Sequence, residues 1–151
     1  MHKPFLLTLL VAASLGLHSQ TPLAPNAPAD KVYTVTNDRQ EAIKALVAQA
    51  RATWPSVKSR FAKGLPPRHV LFLSAQLTDT QNHKETVFIE VQKIESGNVL
   101  GVLASELASV TGFRPGQKLS IPEIELLDWT ISKPDGSEEG NLIGKYLESH
   151  G

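Results

Sequence analysis

The chain has 151 residues, 41% hydrophobic and 20% charged, with 15 basic side chains balanced by 15 acidic ones. That length and balance suit one domain around one modest core, and a near-neutral charge exerts no long-range pull on nucleic acid or an anionic membrane. There is no cysteine, which excludes disulfides, thiol catalysis, thiolate metal sites and a lipid anchor on a cleavage-site cysteine.

The N-terminus runs basic, apolar, polar. Lys3 precedes a continuous apolar run of 13 residues, 5–17, and His18, Ser19 and Gln20 follow. Such a run is short for a bilayer crossing and suits a secretory signal peptide, residues 1–19, cleaved after Ser19. Cleavage takes out Lys3 alone and leaves a net charge of −1. Residues 20–30 then carry Pro22, Pro25 and Pro28 at every third position. Proline fixes φ and removes backbone donors, so this segment is expected to be a disordered, extended tether. The single folded domain is expected over residues 31–151.

Within it, residues 31–35 suit a short strand or an extended lead-in. Asn37 and Gln40 have capping-box spacing, and Ile43, Leu46, Val47, Ala50 and Trp54 form one helical face. Pro55 predicts a break and a second short helix bearing Val57 and Phe61, stopped by Gly64. Residues 69–78 alternate as a strand with Leu71, Leu73, Ala75 and Leu77 on one side. Residues 86–94 alternate likewise, with Val87, Ile89 and Val91 opposed to Phe88, Glu90 and Gln92. Ser96-Gly97-Asn98 predicts a tight turn into a return strand, residues 99–103, with a bulge or bend at Gly101. Residues 105–111 suit a short helix or a loop. Arg114-Pro115-Gly116-Gln117 has type II turn chemistry. Residues 118–121 and 123–132 read as strands, Pro134-Asp135-Gly136 as a turn, and Leu142, Ile143, Tyr146 and Leu147 as a last helical turn or two. Helices first and strands after predict an α+β fold: an N-terminal helix pair packed on a strongly bent antiparallel sheet or a small SH3-like barrel.

Chemistry-bearing constellations are sparse. Asp79, His83 and Glu85 share one turn and are metal-ligand types, although a solvated polar turn explains them more simply. No serine lies in a GxSxG setting, and the Gly112–Gly116 stretch lacks the Lys-Ser or Lys-Thr of a phosphate loop. Glu90, Glu123, Glu125 and Asp128 are carboxylates that acid–base chemistry could pair, but alternation sets Glu90 opposite Val87, Ile89 and Val91, and Glu123 and Glu125 opposite Ile124 and Leu126, as on the wet side of a half-exposed sheet. Asp128-Trp129 reads either as a core tryptophan beside an ordering carboxylate or as an aromatic ligand platform with an acidic rim. Glu90, Asp128 and Trp129 are therefore the candidate interaction surface. No catalytic, cofactor or metal site is expected.

Ala50-Arg51-Ala52-Thr53-Trp54-Pro55, Arg60-Phe61, Val87-Phe88-Ile89-Glu90-Val91, Gly101-Val102-Leu103, Pro115-Gly116-Gln117-Lys118, Asp128-Trp129, Gly136 and Gly140 occur in an order that resembles the bacterial YegJ-like family, a domain of unknown function. The resemblance spans about residues 38–145. It departs at Phe88, where a tryptophan-type residue is expected, and at Ser105-Glu106-Leu107. The family brings domain boundaries and no activity. The reading is then a periplasmic or secreted, non-enzymatic module that binds a protein or peptide, with no nucleic-acid partner and no stable membrane anchor after cleavage. Its alternatives are an immunity-type inhibitor of a secreted toxin and a small hydrolase using paired carboxylates.

Overall fold

A computed structural model describes residues 26–29 and 37–150. The expected signal peptide, most of the tether and the expected strand at 31–35 lie outside the described residues. Of the tether, residues 26–29 are described, and Pro28 is buried.

The first element among the described residues is one helix, α1 (Asn37–Lys63), which runs through Pro55. The expected helix pair is therefore a single helix. An interior proline costs roughly 3 kcal/mol because it removes one backbone bond and crowds the preceding turn. Here packing outweighs it. Ala50, Trp54 and Val57 are buried, and Phe61 packs against the same cluster. These four residues fall on one stripe only while the helical phase is unbroken across Pro55, and each fully buried large side chain contributes about 1.5–3 kcal/mol. Gly64 stops the helix with φ of 94°, and its N–H donates to the Phe61 carbonyl.

Six antiparallel strands follow: β1 (Val70–Thr78), β2 (Lys84–Glu95), β3 (Asn98–Leu103), β4 (Lys118–Pro122), β5 (Asp128–Ser132) and β6 (Glu138–Gly140). A helix, α2 (Leu142–Ser149), ends the fold. The sheet order is β4-β3-β2-β1-β5-β6. The first four strands form a meander, and β5 then returns to the free edge of β1. The two edge strands, β4 and β6, stand at opposite ends, so the sheet is open rather than closed into a barrel or strongly curled.

The β2–β3 hairpin turns on Ser96 and Gly97, both at positive φ, the twist that two-residue hairpins favour. The expected irregularity at Gly101 lies across from it on β2, where the register shifts between Val91 and Lys93. Gly101 itself answers a close approach: a Cβ there would sit 2.2 Å from the Glu90 carbonyl oxygen. Residues 105–111 form no helix. The expected long strand at 123–132 is in fact a 3-10 turn, Glu123–Glu125, followed by β5. Lys58 pins that turn through Glu123 at 2.9 Å, Arg51 Nε donates to the Leu126 carbonyl, and Ile124 points into solvent.

Register divides the sheet into two faces. Leu71, Leu73 and Ala75 of β1 align with Val87 and Ile89 of β2 and with Trp129 and Ile131 of β5. This face carries the main apolar cluster together with α1. The opposite face presents Val102, Glu90, Phe72 and Thr130 in one row across four strands, with Phe88, Ser74 and Asp128 in the next.

Candidate functional site

The expected interaction residues divide between the two faces. Trp129 lies under α1, 7% exposed, and its indole N–H donates to Thr53 Oγ1 at 2.9 Å. Thr53 Oγ1 in turn donates to the Gln49 and Ala50 carbonyls, so the tryptophan is tied into the helix backbone. Gly140 at φ of 77° fits the ring closely, because a Cβ there would stand 2.6 Å from it. The tryptophan is a core wedge between sheet and helix.

Asp128 belongs to the other face and is 1% exposed. Its Oδ1 accepts the Trp129 N–H and its Oδ2 accepts the Ile143 N–H, each at 2.8 Å. One carboxylate thereby joins the start of β5 to the first turn of α2, where negative charge also suits the helix dipole. Burial pushes its carboxyl above the usual range, against the opposing pull of those backbone N–H groups.

Glu90 is half-buried and pairs across β1 with Phe72, while Asp128 pairs with Ser74. Two strand spacings and a two-residue offset place the Glu90 and Asp128 α-carbons about 12 Å apart. Both oxygens of Asp128 are engaged by backbone N–H groups, and Glu90 stands two strands away on the same face.

Glu90 instead lines a shallow groove of about 420 Å³ at the end of α1, with Phe61, Leu65, Pro66, His69 and Val70 among its walls. The groove is apolar at Phe61 and Leu65 and carries His69 at its rim, with the His69 Nδ1 on the Pro67 carbonyl at 3.1 Å.

The polar cluster at the β1–β2 turn holds two densely hydrogen-bonded carboxylates. Asp79 Oδ1 accepts the N–H groups of Gln81 and His83, and Oδ2 accepts the Thr111 N–H and hydroxyl and meets His83 Nδ1 at 3.0 Å. Burial alone would raise this carboxyl, but the donors led by His83 outweigh it and hold it well below the usual carboxylate range. Glu85 turns away from His83. Its two oxygens accept three successive backbone N–H groups, those of Ala108, Ser109 and Val110. Burial raises it, and these bonds lower it further than burial raises it.

Asp79 and Glu85 therefore clamp the 104–117 loop onto the first hairpin, which seats Val110 in the core. Asp79 and His83 meet as their spacing suggested, and Glu85 is occupied elsewhere. Among the described residues no group of three or more His, Asp or Glu could hold a metal ion. The sequence carried no signal for the Glu85 clamp, since it depends on a loop more than 20 residues away. No family model matches the chain, and no curated protein or solved structure matches it. Among the described residues no helix is long and apolar enough to cross a membrane.

Proposed function

We propose that this chain is an exported module that binds an extended protein or peptide segment by strand addition, without chemistry of its own. The observation that carries the reading is the open edge at β4. This strand has five residues and pairs with β3 on one side, while among the described residues no strand pairs with its other side. Pro122 ends it at a position whose missing N–H the ladder tolerates. Alternation then turns the backbone polar groups of Lys118 and Ser120 toward the open side, which is what an added strand requires. The opposite edge, β6, has three residues and offers a shorter ladder. Export rests on the order of residues 1–19, and the YegJ-like resemblance is part of the same reading.

The test is capture from a periplasmic extract with the chain and with a Ser120→Pro variant. A partner held through the β4 edge is retained by the first and lost from the second, because proline removes a backbone donor from the added ladder. Equal retention by both overturns the strand-addition reading. N-terminal sequencing of the native form should begin near Gln20; a cytosolic form that begins at Met1 overturns export.

A further inference from the structure

The open side of β4 has a definite pattern. The Leu103 N–H donates to the Gln117 carbonyl at 2.8 Å, and the Glu123 N–H donates to the Gly97 carbonyl at 2.9 Å. Gln117 and Glu123 therefore turn their backbone groups toward β3, and the period of two turns those of Leu119 and Ile121 the same way. The N–H and C=O groups of Lys118 and Ser120 point outward, so each of these residues can exchange a pair of hydrogen bonds with a further strand. The side chains alternate between the two faces of the sheet. Leu119 and Ile121 join the apolar cluster under α1. Ile121 is buried, but Leu119 is only half-buried, and its neighbour on β3 is Gly101, which has no side chain to cover it. Lys118 and Ser120 lie on the other face and are exposed. Lys118 pairs with Val102 and Val102 with Glu90, so the carboxylate in that row stands two strands away, about 10 Å. Among the described residues Lys118 makes no ion pair.

We propose, on the strand-addition reading above, that the β4 edge selects an antiparallel partner segment whose side chains run apolar, polar, apolar, acidic from its N- to its C-terminal end. Every strand pair of this sheet is antiparallel, so the added strand runs against β4 and meets Ile121 first and Lys118 last. Its residues opposite Lys118 and Ser120 form the hydrogen-bonded pairs. Those opposite Ile121 and Leu119 form the closer, non-hydrogen-bonded pairs, in which side chains touch most directly. Apolar side chains at these two places extend the cluster under α1 over the open flank of Leu119. On the other face a carboxylate opposite Lys118 meets a cation that has no acid beside it, and a lysine in that place meets repulsion. An edge lysine ordinarily guards a sheet against indiscriminate pairing. Here the same charge admits an acidic strand and rejects a basic one, so a single residue both guards the edge and selects the partner. A slip of one residue sends the acidic side chain under α1 and the apolar pair into water, which fixes the register as well.

Two peptides with blocked ends test this: Ser-Val-Thr-Val-Glu-Ser, and the same sequence with lysine in place of glutamate. Each is titrated into the full chain at low salt, and amide hydrogen exchange is followed along β4. The glutamate peptide should slow exchange at Lys118 and Ser120 and leave Leu119 and Ile121, already paired to β3, little changed. It should bind about fivefold more tightly than the lysine peptide, a difference that shrinks as salt is added. Lys118→Glu, a change at an exposed position, should reverse the preference. Equal protection by both peptides keeps strand addition and overturns selection by charge. A preference that survives Lys118→Glu overturns Lys118 as its source. No protection from either peptide overturns strand addition at this edge, and the selection falls with it.

Discussion

The two faces of the sheet are buried to different degrees and by different side chains. Under α1 the side chains are aliphatic almost without exception, and one tryptophan bonded to Thr53 fixes the helix in place. On the other face the row is Val102, Glu90, Phe72 and Thr130, a mixture that ordinarily meets water. The first face is closed by the protein's own helix through covalent continuity and close packing. The second holds unpaired hydroxyls and a buried ring that stands apart from the main cluster. Unsatisfied polar atoms do not separate the faces, since Trp54 Nε1 under α1 is buried without a partner just as the Thr130 and Ser132 hydroxyls are. The difference lies in composition, aliphatic under α1 and mixed on the other side.

The largest expected effect tests that contrast directly. Leu73→Ala, in the centre of the α1 face, should destabilise by about 3 kcal/mol, the ordinary loss of transfer energy plus a cavity that a packed core cannot close. Phe72→Ala removes a larger side chain, also fully buried, from the adjacent position on the other face, and should cost at least as much, about 3–5 kcal/mol. Urea unfolding of both variants measures the ratio. A Phe72→Ala cost well below that of Leu73→Ala shows that the second face is the more loosely packed of the two.

This contrast also explains what the sequence made legible. Alternation in β1 and β2 identified Leu71, Leu73, Ala75, Val87, Ile89 and Val91, because an aliphatic face has a period of two and little else can produce it. Gly64, Gly97 and Gly116 marked their turns, since positive φ is a local requirement that glycine meets at low cost. Pro55 misled because local propensity predicts a break, while the stripe from Ala50 to Phe61 is rewarded only in the folded state. The run at 123–132 misled for a similar reason. Lys58 and Arg51, distant in sequence, stabilise a 3-10 turn where alternation suggested a strand. Openness of the sheet was out of reach, because short strands and a bulge are compatible with either an open or a closed order. Among the site residues, Asp128 and Trp129 were visible as a pair, but their consecutive positions send them to opposite faces, so they do not form one surface.

The next effect sharpens the polar side of the comparison. Asp128→Asn keeps the shape and gives up one acceptor, leaving either the Trp129 or the Ile143 N–H without its bond. The expected cost is about 1–2 kcal/mol, partly offset because a buried charge is removed. Hydrogen exchange at Ile143 should accelerate, since α2 loses its link to β5. The pH dependence has a definite sign. The folded Asp128 carboxyl titrates above its unfolded value, so as pH rises through the ordinary aspartate range, about 4, the unfolded chain gives up this proton first and stability declines until the folded group has also ionised. Asp128→Asn removes that decline. A variant with an unchanged stability-versus-pH profile and unchanged exchange at Ile143 shows that the carboxylate does not brace the helix.

The smallest effect concerns the rim of the α1 face. Glu85 and Asp79 are held below the usual carboxylate range by the loop they clamp, so their contribution has the opposite sign to that of Asp128. It is complete above the unfolded carboxylate values, about pH 4, and is lost as pH falls through the lower folded values. Glu85→Gln retains one acceptor oxygen for three backbone donors and places an amide against the rest. Because this side chain is only partly buried and its partners can turn to water, the stability change should be about 1 kcal/mol or less. The sensitive readout is local. Exchange at Ala108, Ser109 and Val110 should rise at neutral pH, and the wild-type chain should show the same rise on acidification as the clamp takes up protons. Val110 would then leave the cluster under α1 without disturbing Phe72 on the other face. If acid loosens the Phe72 side before exchange rises at Ala108, Ser109 and Val110, the Glu85 clamp is not the first element that protonation releases.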